Sequence, residues 1–288
     1  MYYKLSANKE LVLYTIATFA FSWLFWIPSA IMFQGAESLG ELITSPIFIA
    51  LQTMGAAGPT IVAYIFLKKI HHPSELKAVI ARYKIWRVKP KWYFISIFLV
   101  ITISLVSLLF EMFFFDTLPG EGHALYDMYQ TMGLALIAVL PLVYVAQIFT
   151  SPLLEEFGWR GYLQPRLQNI FGVLPASVII GVIWGSWHLP LIFAYGHNLA
   201  IAILSIVCHS ILMGWILNST KGSLLMMLLF HASINVGVNM LSPGHDSVIM
   251  LIITVGITGL VVFYMIRSKQ KPFNHNENLE NKVNLGLA

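Results

Sequence analysis

Charged side chains are scarce in this chain of 288 residues, because Asp, Glu, Lys and Arg make up only 10% of it. A soluble domain carries about a quarter of its residues as these four types. With 58% apolar residues and a mean hydropathy of +0.76, much of the apolar surface must face lipid. We predict a single transmembrane domain over residues 1–270, followed by an Asn- and Glu-rich, disordered cytoplasmic tail over residues 271–288.

Cysteine is also nearly absent. Cys208 is the single cysteine, which excludes an intramolecular disulfide and a cysteine-based zinc finger. The zinc-protease pattern His-Glu-x-x-His does not occur. The net charge of +4 does not indicate a nucleic-acid partner, because the basic residues lie in short segments between apolar runs, as they do at a membrane surface. The first apolar run is too long for a signal peptide, and we expect it to be retained.

Long apolar runs make up most of the chain. A transmembrane helix needs about 20 such residues, and eight runs of this kind occur. The predicted fold class is all-α: a polytopic membrane protein with about eight transmembrane helices. The predicted spans are Leu11 to Phe33, Pro46 to Leu67, Tyr93 to Phe115, Met132 to Leu154, Leu174 to Ala194, Leu199 to Asn218, Ser223 to Leu241 and Val248 to Ile266.

The basic residues segregate across these spans. All 17 Lys and Arg residues fall in segments on one side, whereas the opposite loops carry acidic residues and no basic residue. Cytoplasmic loops hold the excess of Lys and Arg in membrane proteins, so both termini are predicted to be cytoplasmic. Adding or removing one span would destroy this segregation. The acidic residues of the opposite loops are Glu37, Glu41, Asp116, Glu121, Asp127 and Asp246.

Three polar clusters interrupt the apolar runs. An ionisable group at bilayer depth costs about 2.5 to 3.5 kcal/mol on insertion scales, so each cluster needs an explanation. The clusters follow the fourth span or lie inside the fifth and the seventh. They read Glu155-Glu156-Phe-Gly-Trp-Arg160, Trp184-Gly-Ser-Trp-His188 and His231-Ala-Ser-Ile-Asn235.

Helix geometry separates the two neighbouring carboxylates of the first cluster. Adjacent positions point about 100° apart, so Glu155 and Glu156 cannot both face one site. Glu156 and Arg160 are four residues apart and share a face, where they can form an ion pair. Such a pair would make Glu156 structural and leave Glu155 free on another face.

The other clusters lie deeper in their helices. His231 and Asn235 share a face by the same spacing and can present donors to one point. His188 lies far along its helix from the cytoplasmic end, whereas the predicted end of the fourth span places Glu155 near the surface. We therefore expect the fourth helix to continue to about Leu163, and the site to lie in a wet cavity that opens to the cytoplasm.

Each residue also has a purely structural interpretation. Glu155 and Glu156 fit interfacial charges at a helix end, and His188 fits a histidine that is hydrogen-bonded between helices. His231 and Asn235 fit interhelical hydrogen bonds of the kind that polar side chains make in membranes. The occurrence of acid, base and amide groups on three helices favours one shared site.

Two further residues are predicted to support that site. Trp184 shares a face with His188 and suits a packing or wall role. His209, next to Cys208 in the sixth span, is a weaker candidate for which we favour packing or support. The remaining histidines fall in loops or tails, where a solvated position is expected.

Together, the clusters resemble the motifs of the CPBP (Abi) family of intramembrane proteases, which includes the type II CAAX prenyl endopeptidases. The family pattern is Glu-Glu-x-x-x-Arg, then aromatic-x-x-x-His, then His-x-x-x-Asn. All three motifs occur here in that order, within a protease-like core at about residues 140–240. Trp184 stands where the second motif usually has Phe, which keeps an aromatic ring.

The resemblance implies an intramembrane endopeptidase that acts on a membrane-associated or lipidated peptide or protein. It implies a glutamate that activates water, a histidine that holds or polarises that water, and a His–Asn pair that stabilises the oxyanion. No serine or cysteine nucleophile is implied. In chain order the catalytic residues are Glu155, His188, His231 and Asn235, with Glu156, Arg160 and Trp184 in structural supporting places.

The need for a metal is a separate question. Two histidines and two carboxylates could ligate zinc, and the family is often labelled a metalloprotease. A zinc site would require Glu156 to be released from Arg160. We therefore favour a glutamate mechanism with no metal cofactor, with zinc as the alternative.

Two other functions fit the composition. A small transporter or channel would also use Glu and His in a helix bundle, although no inverted repeat is visible. A non-catalytic membrane protein, such as a bacteriocin-immunity or scaffold factor, could carry the same motifs. The expected location is the cell membrane, with a multi-pass topology. The expected partners are the lipid bilayer and a membrane-associated substrate, with no nucleic acid.

Overall fold

The computed structural model describes residues 6–35, 45–116, 119–120, 123–244 and 246–273. Helices and no strands make up the regular structure of these ranges, which confirms the predicted all-α class. The α-helices are α1 (Ala7–Gln34), α2 (Pro46–Ala56), α3 (Gly58–Lys69), α4 (Pro73–Ala81), α5 (Pro90–Phe115), α6 (Ala124–Met132), α7 (Leu136–Ile148), α8 (Ser151–Glu156), α9 (Gln164–Phe171), α10 (Val173–Trp187), α11 (Leu189–Ala194), α12 (Leu199–Ser219), α13 (Leu224–Val236) and α14 (Val248–Arg267).

Shorter helical segments join some of these helices. Two are 3₁₀ turns, at Arg82–Lys84 and Gly133–Ala135. Two are π-helical, at Phe157–Leu163 and Gly237–Leu241. The first contains the end of the first polar cluster, and the second begins two residues after the third cluster. The predicted tail lies outside the described residues from 274 onward, as do Lys4, Glu37, Glu41, Glu121, His245, His275 and Lys282.

Six helical segments of the described chain are long and apolar enough to cross a membrane. The pair α2 and α3, bent by 46°, makes a seventh. The chain is therefore a multi-pass membrane protein. The six segments are Asn8–Gln34, Pro90–Phe115, Ala124–Phe171, Leu199–Ser219, Leu224–Leu241 and Val248–Arg267.

The predicted count of eight is not reproduced, because the predicted fifth span is divided. Residues 174–194 form α10, which has 15 residues, and the short α11, with His188 between them. Pro190 stands at the start of α11. A proline cannot continue a helix, because it lacks an N–H and its ring clashes with the preceding turn, so the regular helix ends at Trp187.

The second span also differs from its prediction, because it bends between α2 and α3. Pro59 stands at the start of α3 and explains the bend. Gly55 and Gly58 allow α2 and α3 to pack closely against α1. A β-carbon at Gly55 would overlap the ring of Trp26, and one at Gly58 would overlap Ser22 of α1.

The predicted bounds of the fourth span, Met132 to Leu154, are wrong at both ends. Its apolar segment runs from Ala124 to Phe171 and is 48 residues long. The chain turns at Phe149 and Thr150, and α8 begins there with Pro152 in its first turn. The expected continuation past Leu154 is confirmed, since the helix proceeds through the Phe157–Leu163 π-segment into α9.

The basic segments of the described chain meet at one end of the bundle, called here the basic end. Glu10 of α1 contacts His71 at 2.8 Å and Arg166 of α9 at 2.9 Å. Arg82 donates to the carbonyl of Gly222 at 2.7 Å, which joins the α4 region to the loop before α13. The prediction that these segments share a side is therefore supported by direct contacts.

Other contacts close the opposite end, called here the acidic end. Gln52 of α2 donates to Tyr195 at 2.9 Å. The backbone N–H of Asn198 donates to Asp246 at 2.9 Å, and Ser247 donates to Glu111 at 2.6 Å. The helices that bear the three polar clusters run between these two ends.

Candidate active site

The three polar clusters meet around one cavity of about 600 Å³. Its wall contains all four residues that the sequence assigned to catalysis. Helix α8 supplies Glu155, the C-terminal end of α10 supplies His188, and α13 supplies His231 and Asn235. Residues as far apart as 155 and 235 in sequence therefore share one site, as the sequence predicted.

Glu155 lies in the last turn of α8, where its side chain is 2% exposed. Its Oε2 accepts a hydrogen bond of 2.9 Å from the indole N–H of Trp184. Within the described residues Oε1 makes no hydrogen bond, and the side chain lines the cavity. One carboxylate oxygen is therefore held by the protein, and the other is available to a water or substrate in the cavity.

Glu156 lies one residue further on and has a different environment. It is fully buried and does not line the cavity. Arg160 donates to its Oε1 at 3.0 Å, which confirms the predicted ion pair. Nδ1 of His231 also lies 2.7 Å from this oxygen, a contact that the sequence did not predict. Glu156 therefore joins the first motif to the third.

Trp184 has more contacts than a wall residue. Besides its bond to Glu155, its ring face lies 4.5 Å from the guanidinium carbon of Arg160. Its ring is edge-on to His231 at 5.2 Å and to His188 at 5.7 Å, measured between ring centroids. A phenylalanine in this place would keep the ring contacts and lose the donor to Glu155. The motif predicted an aromatic residue at this position, but it did not predict the hydrogen bond from the indole N–H to Glu155.

His188 stands where Pro190 divides the predicted fifth span. Its Nδ1 is 2.8 Å from the carbonyl oxygen of Trp184. A carbonyl only accepts hydrogen bonds, so Nδ1 carries a proton and a neutral ring has its lone pair on Nε2. Nε2 has no hydrogen-bond partner among the described residues, and the ring lines the cavity. This nitrogen can accept a hydrogen bond from water.

Asn235 differs from the expectation that it and His231 present donors to one point. Its Nδ2 donates to Ser151 at 2.9 Å and to Gln147 at 3.3 Å. Both acceptors lie at the break between α7 and α8, whereas His231 contacts Glu156. Because the sequence did not predict that break, it did not indicate these acceptors. Both residues line the cavity, but their observed hydrogen bonds go to different partners.

His209 of α12 also lines the cavity, although the sequence ranked it below the other candidates. It is 3% exposed, and its Nε2 has no hydrogen-bond partner in the described part of the chain. A buried polar atom without a partner is uncommon in folded proteins. The only sequence signal for this residue was an ionisable group inside an apolar span.

The mouth of the cavity contradicts one expectation. Its outer wall includes Gln52, Tyr195, His197 and Ser247, which belong to the acidic end. Among the described residues that line the cavity, none is Lys or Arg. This lining therefore does not match the expected opening at the cytoplasmic side, where the basic segments were placed. The prediction rested on the depth of Glu155, and depth alone does not reveal which end of a site is closed.

The residues present do not form an evident metal site. In the described ranges, no three His, Cys, Asp or Glu side chains are grouped so that they could hold a metal ion. Glu156, which a zinc site would need, is already bonded to Arg160 and His231. The donor arrangement therefore does not fit zinc ligation.

Comparison with known proteins gives three similarities. A family model described as type II CAAX prenyl endopeptidase Rce1-like matches residues 137–237. The CAAX prenyl protease 2 of Methanococcus maripaludis is 26% identical over 276 residues, which cover 91% of this chain and 94% of that protein. The lysostaphin resistance protein A of Staphylococcus haemolyticus is 29% identical over 141 residues, which cover 48% of this chain and 36% of that protein.

Proposed function

Because the chain belongs to the CPBP family that includes the type II CAAX prenyl endopeptidases, we propose that it is an intramembrane endopeptidase in which Glu155 activates a water. The family is a class of proteases that act on membrane-associated proteins. The observation that carries the proposal is the position of Glu155, buried at the cavity wall with one oxygen bonded to Trp184 and the other without a hydrogen bond to any described residue.

The reaction begins with a water between Glu155 and His188. The carboxylate takes a proton from this water as its oxygen attacks the carbonyl carbon of the scissile bond. Nε2 of His188 accepts the second hydrogen bond of the water and orients it. Collapse of the tetrahedral intermediate breaks the C–N bond, and Glu155 transfers the proton to the leaving amine. No covalent enzyme intermediate forms.

The oxyanion of that intermediate needs hydrogen-bond donors. Nδ1 of His231 faces Glu156, so donation to an oxyanion has to come from Nε2, which requires a ring protonated on both nitrogens. Asn235 has to exchange one of its bonds, to Ser151 or Gln147, for the substrate oxygen. Donors aimed at an oxyanion contribute about 10² to 10³ in rate each.

The test uses the purified full chain in lipid nanodiscs with two quenched fluorescent peptides. One peptide carries a farnesylated CAAX sequence, and the other is the same peptide without the lipid. Wild type is compared with Glu155→Gln and His188→Gln, and with Asp127→Asn as a matched carboxylate control at an exposed site. We expect cleavage by wild type and the control, and at least a 10³-fold loss in Glu155→Gln. Equal rates in wild type and Glu155→Gln, or no cleavage of either peptide by wild type, would contradict the proposal.

The proposed mechanism uses no metal. Cleavage by wild type is therefore expected to continue after dialysis against a strong zinc chelator. Loss of activity on chelation, followed by recovery on addition of zinc, would replace the glutamate mechanism with a metal-dependent one. Glu156→Gln gives a second readout, because a zinc ligand and an ion-pair partner differ in what they stabilise. If Glu156 is a zinc ligand, the substitution lowers the metal content of the protein. If it is the ion-pair partner of Arg160, the substitution lowers the melting temperature.

A further inference from the structure

The catalytic cavity is closed toward the basic end. Beneath Glu155 lies a layer of large side chains that are fully buried: Trp159, Arg160 and Tyr162 of the π-segment. Below this layer, Arg82 donates to the carbonyls of Arg160 and Gly161 at 2.9 and 3.1 Å. No described residue of this layer lines the cavity, so the layer separates the cavity from the basic segments.

The cavity reaches the acidic end instead. Ala202 and Ser247, which line it, lie within one turn of the starts of α12 and α14. Thr53 of α2 and Asn239 of the Gly237–Leu241 π-segment are exposed and also line it. Ala202, Ser247 and Asn239 lie near those ends of their elements that meet at the acidic end, and Thr53 is an exposed lining residue of the helix that starts there. These four residues are called here the rim of the mouth.

The charges of the two ends set the orientation in the bilayer. Each Lys and Arg of the sequence falls in a segment assigned to one side, and the contacts of Glu10 and Arg82 hold these segments together in the structure. The positive-inside rule places that side in the cytoplasm. The mouth of the cavity, which no described Lys or Arg lines, then faces the opposite side.

We propose that substrates reach this site from the non-cytoplasmic face of the membrane. This inference rests on the proposed function and specifies its substrate class: membrane-anchored or exported peptides whose scissile bond lies outside the cytoplasm. The rim suits an uncharged peptide segment, because its polar side chains are the amide of Asn239 and the hydroxyls of Thr53 and Ser247. A cytoplasmic protein tail would meet the closed layer of Trp159, Arg160 and Tyr162 instead.

The side of access can be measured without any activity. Cys208 is buried, outside the cavity wall, and the single cysteine of the chain. In a Cys208→Ala background, Asn239→Cys and Thr53→Cys report on the rim. Lys77→Cys, at an exposed position of α4, is the matched reporter at the basic end. Each variant is produced in a bacterial plasma membrane and treated with a membrane-impermeant maleimide, in spheroplasts and in inverted membrane vesicles.

We expect Asn239→Cys and Thr53→Cys to react in spheroplasts, and Lys77→Cys to react only in inverted vesicles. Reaction of the rim variants only in inverted vesicles, together with Lys77→Cys, would overturn the proposal. Reaction of the rim variants in neither preparation would overturn it as well, because the mouth would then be closed to water.

Cleavage separates this inference from the proposed function. A single-span reporter protein is co-expressed with wild type or Glu155→Gln, with the same peptide segment placed on either side of its span. If only the non-cytoplasmic segment is cleaved, and its cleavage requires Glu155, both the protease function and the non-cytoplasmic access are supported. If only the cytoplasmic segment is cleaved, the proposed side of access is wrong. If the rim is labelled from outside but neither reporter is cleaved, the proposed side of access is supported and the proposed protease function is contradicted.

Discussion

At the residue scale, two neighbouring glutamates have opposite environments. Glu155 lines the cavity and has one oxygen with no hydrogen-bond partner among the described residues, whereas Glu156 is fully enclosed between Arg160 and His231. The rotation of about 100° per residue in a helix is enough to separate them. The ion pair of Glu156 could be predicted from its spacing to Arg160. Its bond to His231 could not, because it depends on how two distant helices pack.

The first prediction concerns this difference between the glutamates. Glu156→Gln leaves the buried Arg160 without its counter-charge, and breaking a buried pair costs about 3–5 kcal/mol. Glu155→Gln removes no ion pair and keeps an acceptor for Trp184. We expect a clear drop in melting temperature for Glu156→Gln and little change for Glu155→Gln, measured in detergent by intrinsic fluorescence. Similar melting temperatures for the two variants would contradict the assigned roles.

The second prediction concerns His209, whose Nε2 is buried and has no hydrogen-bond partner in the described ranges. Replacing a buried unsatisfied polar group by an apolar one of similar size costs little stability. His209→Phe is therefore expected to keep the melting temperature of wild type. If the imidazole contacts water or substrate in the cavity, the same variant lowers kcat/KM by about tenfold, or ~1.4 kcal/mol.

His209→Gln is the matched variant, because it restores a polar group of comparable reach. It is expected to recover part of the lost kcat/KM. If both variants retain wild-type kcat/KM, His209 only packs, which is the role that the sequence favoured.

At the element scale, both π-helical segments begin just after residues of the site. Phe157–Leu163 follows Glu156, and Gly237–Leu241 begins two residues after Asn235. Such wide turns in helices occur frequently at functional sites. The hydrophobic pattern predicted that the fourth helix continues, because Phe157 to Leu163 is largely apolar. It could not predict the π geometry, since one extra residue per turn leaves no distinct mark in a run that is buried on all sides.

The third prediction concerns the side chain that holds the first π-segment. Arg82 donates to three backbone carbonyls, of Gly222, Arg160 and Gly161. Hydrogen bonds from a charged donor contribute about 1.5–3 kcal/mol each. Arg82→Ala is therefore expected to lower both the melting temperature and kcat, because the π-segment that carries Arg160 loses its anchor.

Arg87→Ala is the matched control, since Arg87 is exposed and lies over the ring of Trp86 at 5.0 Å. Arg82→Lys keeps the charge and one donor, and should recover part of the stability. A wild-type melting temperature for Arg82→Ala would show that the π-segment does not need this anchor.

At the scale of the whole molecule, the segregation of charge could be predicted from the sequence. The number of transmembrane spans could be predicted only in part. Composition and hydropathy indicated a membrane bundle, and motif spacing indicated which residues share a cavity. Pro190 and Pro59 divided two of the predicted spans, and hydropathy does not register such breaks. The end at which the cavity opens depends on the packing of side chains between helices, which neither hydropathy nor motif spacing indicates.

The fourth prediction concerns the network that holds the basic end together. His71 lies outside the membrane-spanning helices, and its hydrogen bonds to Glu10 and Glu75 raise its pKa from 6.5 to about 9. The bond to His71 also holds the pKa of Glu75 below its usual range. A group with a raised pKa stabilises the folded state fully below its unfolded-state pKa, and this contribution is lost as the pH rises through the folded value.

The melting temperature of wild type is therefore expected to fall by a few degrees between pH 6.5 and 9. His71→Gln cannot gain a charge and should show a smaller fall over the same window. Arg166 contacts both carboxylates and is unchanged in the variant, so the comparison isolates His71. Parallel pH profiles for the two proteins would contradict the assignment.

The shared bond of Glu156 also sets the order in which this protein can mature on the ribosome. Arg160 follows Glu156 within the same segment, so the two opposite charges can enter the translocon as one neutral unit. Trp184, the donor to Glu155, is made 29 residues after it. His231 is made 75 residues after Glu156. A nascent chain that stops before α13 therefore lacks one of the two groups that hold Glu156, and its site is incomplete.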